Sequence, residues 1–156
     1  MCIADTKLKS RINMKGSCNC GNVGFEISGD VAALYQCHCK LCQKQSGSTS
    51  NTATIVKESD FNWVTVTDSI SHWKKASGFT SDFCKQCGCP VPNRLRESNY
   101  YWVPMGLVEN FDIKITTHLC CSSKASWDDI TDTAIKHDDM PPDLDTFIKS
   151  LQENQG

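Results

Sequence analysis

Apolar and polar residues alternate along much of this chain in short runs. Val23, Phe25 and Ile27 are separated by Gly24 and Glu26, a period of two that predicts a half-buried strand. Ser28-Gly29-Asp30 is a turn signal, and Leu34-Tyr35-Gln36 leads on from it. Segments 49–56, 61–67, 71–74, 79–83, 100–105 and 113–119 are rich in β-branched and aromatic residues and predict further strands. One segment has the helical period instead. Leu144, Phe147, Ile148 and Leu151 share a face, Pro141-Pro142 precede them and Asp143 stands at the cap position, so a helix is expected over 143–151. There is no internal repeat, low-complexity tract or linker. Many short strands and one short C-terminal helix predict a mainly β fold in one domain, 14–150, with a flexible tail at 1–13 and another at 151–156.

Composition narrows the class. In 156 residues, 39% are apolar and 22% charged, the balance of a water-soluble globular domain. No run of about 18 apolar residues exists, so no membrane partner is expected. Met1 to Lys15 lacks an apolar stretch and carries mixed charge, which is not the pattern of a signal peptide. A formal charge of −2 and the lack of a basic tail argue against nucleic acid or another polyanion as partner.

The 11 cysteines change the picture most. Seven fall in three clusters: Cys18-Asn19-Cys20, Cys37-His38-Cys39-Lys40-Leu41-Cys42 and Cys84-Lys85-Gln86-Cys87. A disulfide from Cys18 to Cys20, or from Cys37 to Cys39, would be badly strained. The spacings are those of metal chelates, and the expected setting is a reducing cytoplasm with metal-bound thiolates. Cys18, Cys20, Cys84 and Cys87 make a complete tetrahedral set for zinc, with a structural role. Cys37, Cys39 and Cys42 make a set of three. Their fourth position is either open to a small molecule or closed by Cys89, Cys120, Cys121 or a distant histidine. His38 would face the other way in an extended segment, which makes it a poor ligand.

These clusters carry a resemblance. Gly16-Ser17-Cys18-Asn19-Cys20-Gly21, the segment from Cys37 to Lys44, and Phe83-Cys84-Lys85-Gln86-Cys87-Gly88 resemble the glutathione-dependent formaldehyde-activating enzyme family, which includes centromere protein V. His118 and Lys124-Ala125-Ser126-Trp127-Asp128-Asp129-Ile130 fit a later segment of that family, with Ser126 where proline is common. The resemblance extends over about 14–148. It implies an Mss4-like fold of stacked antiparallel β-sheets organised around zinc knuckles. It also implies two zinc ions per chain: a structural one at Cys18, Cys20, Cys84 and Cys87, and a catalytic one at Cys37, Cys39 and Cys42. The implied activity is that of a carbon–sulfur lyase on S-hydroxymethylglutathione, the adduct of glutathione and formaldehyde. The expected partner is therefore a small-molecule thiol such as glutathione.

A zinc with three or four thiolates is a weak Lewis acid, so a bound substrate thiolate suits the triplet better than activated water. Lys40, Lys44, Arg94 and Arg96 are candidates to meet the two carboxylates of glutathione, each with solvated surface charge as the plainer role. The four tryptophans are expected in the core, with Trp127 beside two aspartates the exception to watch. His118 is expected as a packed strand residue and Cys89 as a small buried hydrophobe. Two other functions compete with the enzyme. One is a non-catalytic, zinc-stabilised binding module. The other is a metal or redox reservoir built on the triplet.

Overall fold

A computed structural model describes residues 13–31, 33–65 and 67–153. In chain order the strands and helices are β1 (Met14–Ser17), β2 (Gly24–Ile27), β3 (Leu34–Cys37), α1 (Lys40–Ser46), β4 (Asn51–Lys57), β5 (Phe61–Trp63), β6 (Ile70–Lys74) and β7 (Thr80–Cys84). There follow β8 (Pro90–Val91), β9 (Asn93–Arg94), β10 (Tyr100–Pro104), β11 (Ile115–Leu119), β12 (Ile135–Lys136) and α2 (Leu144–Glu153). The strands form three sheets, of order β1-β2-β5, β12-β11-β3-β4-β10-β9 and β6-β7-β8. The mainly β expectation holds, with two helices, one of them the short C-terminal one. The expected tail at 1–13 lies almost wholly outside the described residues, as do 154–156. The helix runs to Glu153, two residues past its expected end.

Strand alternation decides which side chains meet. On the six-stranded sheet Ala33, Tyr35, Cys37, Ala53 and Trp102 face one way, and Phe147 and Leu151 of α2 cover them. Leu34, Val56 and Val103 face the other way and pack on Phe25 and Ile27 of the first sheet. Trp63, Phe61 and Phe25 make edge and stacked contacts in that layer. A third cluster, Cys18, Val23, Cys84 and Val91, joins the end of β1 to the third sheet. The helix forms where the sequence placed it because Asp143 Oδ2 accepts from the Thr146 amide at 3.1 Å and the Thr146 hydroxyl at 2.6 Å.

The sheets depart from the antiparallel expectation in one place. β11 runs parallel to β3 and to β12, whereas the other pairings are antiparallel. Parallel pairing needs a long crossover. Here β4 to β10 intervene, so β11 enters beside β3 from the same end. The consequence is local to the chemistry, because it sets Leu119 opposite Cys37.

Candidate metal centres

The first centre is built by two hairpin-like turns. Cys18 follows β1 and Cys84 ends β7, and the intervening chain returns them to one corner. The sulfurs of Cys18 and Cys20 are 3.6 Å apart, and those of Cys20 and Cys84 are 3.7 Å apart. All four, with Cys87, lie within 4.8 Å of one another. A tetrahedron with zinc–sulfur bonds of about 2.3 Å has sulfurs about 3.8 Å apart, so this set already has ligand spacing. A disulfide would need about 2.05 Å, and all four cysteines are free. Gly88 follows with φ +73°, and its amide donates to the Cys84 carbonyl at 2.8 Å, closing the turn that carries Cys87. Backbone amides of Cys89 and Cys20 favour the Cys87 thiolate and bring it down to about 6. The corner is partly wet: Cys18 and Cys84 are buried, but Cys20 is exposed.

The second centre is assembled from one short stretch. Cys37 ends β3, Cys39 caps α1 and Cys42 lies in its first turn; their three sulfurs are within 4.8 Å of one another. The Cys39 sulfur accepts from the Cys42 amide at 3.4 Å. Gly47, at φ +66°, ends the helix after two turns. Gln43 Nε2 donates to the His38 carbonyl at 2.7 Å and the Ser123 carbonyl at 3.0 Å, pinning the loop to the segment after β11. Asn51 Nδ2 donates to Gln45 Oε1 at 2.6 Å, and Gln45 Nε2 donates to Ser81 Oγ at 3.0 Å. The Cys37 and Cys42 thiols hydrogen-bond to Cys39 and hold it down to about 2. The same contacts push Cys37 far up, with burial adding to the effect. Among the described residues, no other cysteine, histidine or carboxylate atom completes this set at the same spacing.

His38 lies between two of these cysteines but turns away from them. Its Nε2 is 2.8 Å from His118 Nδ1, and both rings are 1% exposed. His118 Nε2 faces both Asp132 oxygens, at 2.8 and 3.0 Å. The carboxylate can only accept, so His118 donates from Nε2 and accepts at Nδ1 from His38 Nε2–H. His38 Nδ1 lies 3.4 Å from Asp128 Oδ2, without a hydrogen bond. Burial lowers the His38 pKa, and His118 lowers it further. The pair is a brace between the triplet loop and the 118–132 region. The expectation of a packed histidine at 118 holds, but the sequence did not reveal its partner.

Other singled-out residues scatter. Arg94 is committed to Glu58 and lies 5.5 Å over the Tyr101 ring. Lys40 and Lys44 are exposed on α1, beside the triplet, and Arg96 is exposed after β9. Cys89 packs against the third cluster beside the tetrad, and Cys121 is half-buried. Cys2 lies outside the described residues. His72 pairs with Asp82 across β6 and β7. Trp102 is buried and Trp63 half-buried, whereas Trp73 is 50% exposed, against expectation, and Trp127, the exception set apart, is 73% exposed. Trp73 lies in the exposed second half of β6, and Trp127 precedes the aspartate that faces His38. Two concavities, one lined by Ile55, Lys57 and Tyr100 and the other by Glu58, Ser98 and Asp145, contain none of the clustered cysteines.

Comparison with known proteins found one family and a structure of similar fold. The family described as glutathione-dependent formaldehyde-activating enzyme matches residues 13–123. That span holds every clustered cysteine and stops short of Lys124–Ile130. A crystal structure of a Rhodobacter sphaeroides protein superimposes with a TM-score of 0.53 at 22% identity, over 66% of this chain and all of that one. Among curated proteins none matches.

Proposed function

The chain belongs to the glutathione-dependent formaldehyde-activating enzyme family, and from that premise we propose that it makes and breaks the carbon–sulfur bond of a thiol–aldehyde adduct such as S-hydroxymethylglutathione. The observation that carries this reading is the triplet: three sulfurs converge while no fourth group stands at the same spacing among the described residues. A zinc ion there would keep a substrate thiol ionised near neutral pH. A second zinc at Cys18, Cys20, Cys84 and Cys87 is structural.

In the cleaving direction the carbon–sulfur bond breaks, the hydroxymethyl group loses its hydroxyl proton and leaves as formaldehyde, and the sulfur departs as thiolate. The chain's residues favour this by placement. Cys37, Cys39 and Cys42 would hold the zinc, which when bound would take the sulfur end. Tyr35, two positions before Cys37 and on the same sheet face, walls the site with its ring against Phe147 at 5.1 Å. Lys40 and Lys44 supply positive charge for the carboxylates of glutathione. The His38–His118 brace keeps the loop in register. A reducing, cytoplasmic setting suits free thiols and a thiol substrate.

The test is exchange of isotope-labelled formaldehyde into glutathione, followed by NMR, since the uncatalysed reaction also proceeds. The zinc-loaded protein should speed exchange well above buffer, and Cys42→Ala should remove the acceleration. Exchange no faster than buffer, in protein with both zinc ions bound, would leave a binding module as the better account.

A further inference from the structure

Cys120 is a buried sulfur with no part in either centre as described so far. It directly follows β11, the strand that runs parallel to β3 and sets Leu119 opposite Cys37. On a regular strand Leu119 and Cys120 would face opposite sides of the sheet. They do not: both belong to the cluster that contains Cys37, and Cys39 and Cys42 pack against that cluster. The cause is the backbone at Cys120, which is left-handed at φ 58° and ψ 40°, a conformation unusual for a residue with a β-carbon. The following turn holds it there, with the Ser123 amide donating to the Cys120 carbonyl at 3.0 Å. The thiol is thereby delivered inward and is 7% exposed. Burial pushes its pKa up, and the neighbouring Cys37 thiol partly offsets this.

Two independent facts therefore meet at one place. Three sulfurs stand at chelating spacing and lack a fourth, and a further buried sulfur lies beside one of them but outside their spacing. We infer that Cys120 is an exchangeable fourth ligand of the triplet metal, bound when substrate is absent and displaced by an incoming thiol. The contrast with the tetrad supports exchange over permanent closure. There the sulfurs already stand 3.6 and 3.7 Å apart, whereas Cys120 must shift to join its set. The exchange balances: as the substrate thiol takes the position, its proton passes to the departing Cys120 sulfur, and the number of thiolates at the metal is unchanged. This step rests on the proposed function, but the resting ligation does not.

The test uses X-ray absorption at the zinc edge on the full, zinc-loaded chain without substrate. Wild type should give about four sulfurs per zinc, and Cys120→Ala about 3.5, because only one of the two ions changes. An unchanged sulfur count in Cys120→Ala would overturn the inference. Cys120→Ser keeps the side-chain volume should the alanine variant fail to fold, and it should lower the count in the same way. Cys121→Ala, next in the chain, should leave it as in wild type; a fall there would also count against Cys120. In cobalt-loaded protein, glutathione should bind Cys120→Ala several-fold more tightly than wild type, since no internal sulfur has to be displaced. Equal or weaker binding would refute the exchange. If the sulfur count falls while formaldehyde exchange stays at the buffer rate, the ligand assignment stands and the enzyme reading fails. The opposite pair of results has the opposite meaning.

Discussion

Cys20 and Cys84 are 64 residues apart in sequence, and their sulfurs meet at 3.7 Å at a corner where Cys20 is exposed and Cys84 buried. Cys37, Cys39 and Cys42 come from a single short stretch of chain; Cys37 is in the core cluster that α2 covers, and Cys39 and Cys42 pack against it. The complete set is the wetter one and the incomplete set the drier one. Sequence separation bears on what a metal at each set would do for the fold. Holding together a loop of about 60 residues costs roughly 2 kcal/mol more in loop-closure entropy than holding one short turn. A metal that bridges such a loop gives its binding energy to folding. A metal held by one local turn would contribute little to folding, so exchange at its fourth position would cost the fold little.

The largest effect is expected from breaking the first set. Cys84→Ala leaves three ligands at a junction between sheets and removes binding energy on the order of 10 kcal/mol, comparable to the whole stability of a domain. Circular dichroism should show loss of the native β signal; a variant that melts like wild type would erase the difference between the centres. Next in size is His118→Ala. It strands the buried His38 ring and frees Asp132, at a cost of about 1–3 kcal/mol. Thermal melting should fall by several degrees, with zinc still bound at the tetrad. If the triplet's zinc is lost no faster than in wild type, His38 and His118 do not brace that loop.

A smaller effect sharpens the electrostatic side. Cys37 is pushed up in the metal-free triplet, so protons compete with metal there. Zinc affinity at the triplet should weaken as pH falls and strengthen as it rises, with protons released on loading; calorimetry in buffers of different ionisation heat reads this. The smallest effect is at the cap of α2. The Thr146 hydroxyl and amide hold Asp143 below the usual carboxylate range. A depressed folded pKa stabilises above the unfolded value, near 3.9, and that contribution fades as pH falls through the folded value. Asp143→Ala should lower the melting temperature slightly at neutral pH and make no difference in strong acid. Neither centre should lose metal.

How much of this was legible in the chain follows from distance. The alternation of Val23, Phe25 and Ile27 and the helical face of Leu144, Phe147, Ile148 and Leu151 are local patterns, and both elements formed. The two sulfur sets were legible because each contributing cluster is local and its spacing chelating. The segment Gln43-Lys44-Gln45-Ser46-Gly47 reads locally as a knuckle or short helical turn, and the helix after Cys39 extends to seven residues, Lys40–Ser46. The strand expected over 61–67 stops at Trp63, and Val64 is 58% exposed. What the sequence concealed is the parallel pairing of β3 with β11. That pairing joins His38 to His118 across 80 residues and sets Cys120 beside Cys37. Neither partner has a local signature, because a lone histidine or cysteine on a strand looks the same whether or not a distant strand lies beside it.

The most direct test of unequal centres is zinc release by a chelator, followed together with circular dichroism on the intact protein. The account predicts two zinc ions per chain leaving in two phases. The first departs quickly with the β signal intact and is missing in Cys42→Ala; the second departs slowly as the signal collapses. A single ion, or two that leave together as the protein unfolds, would contradict it.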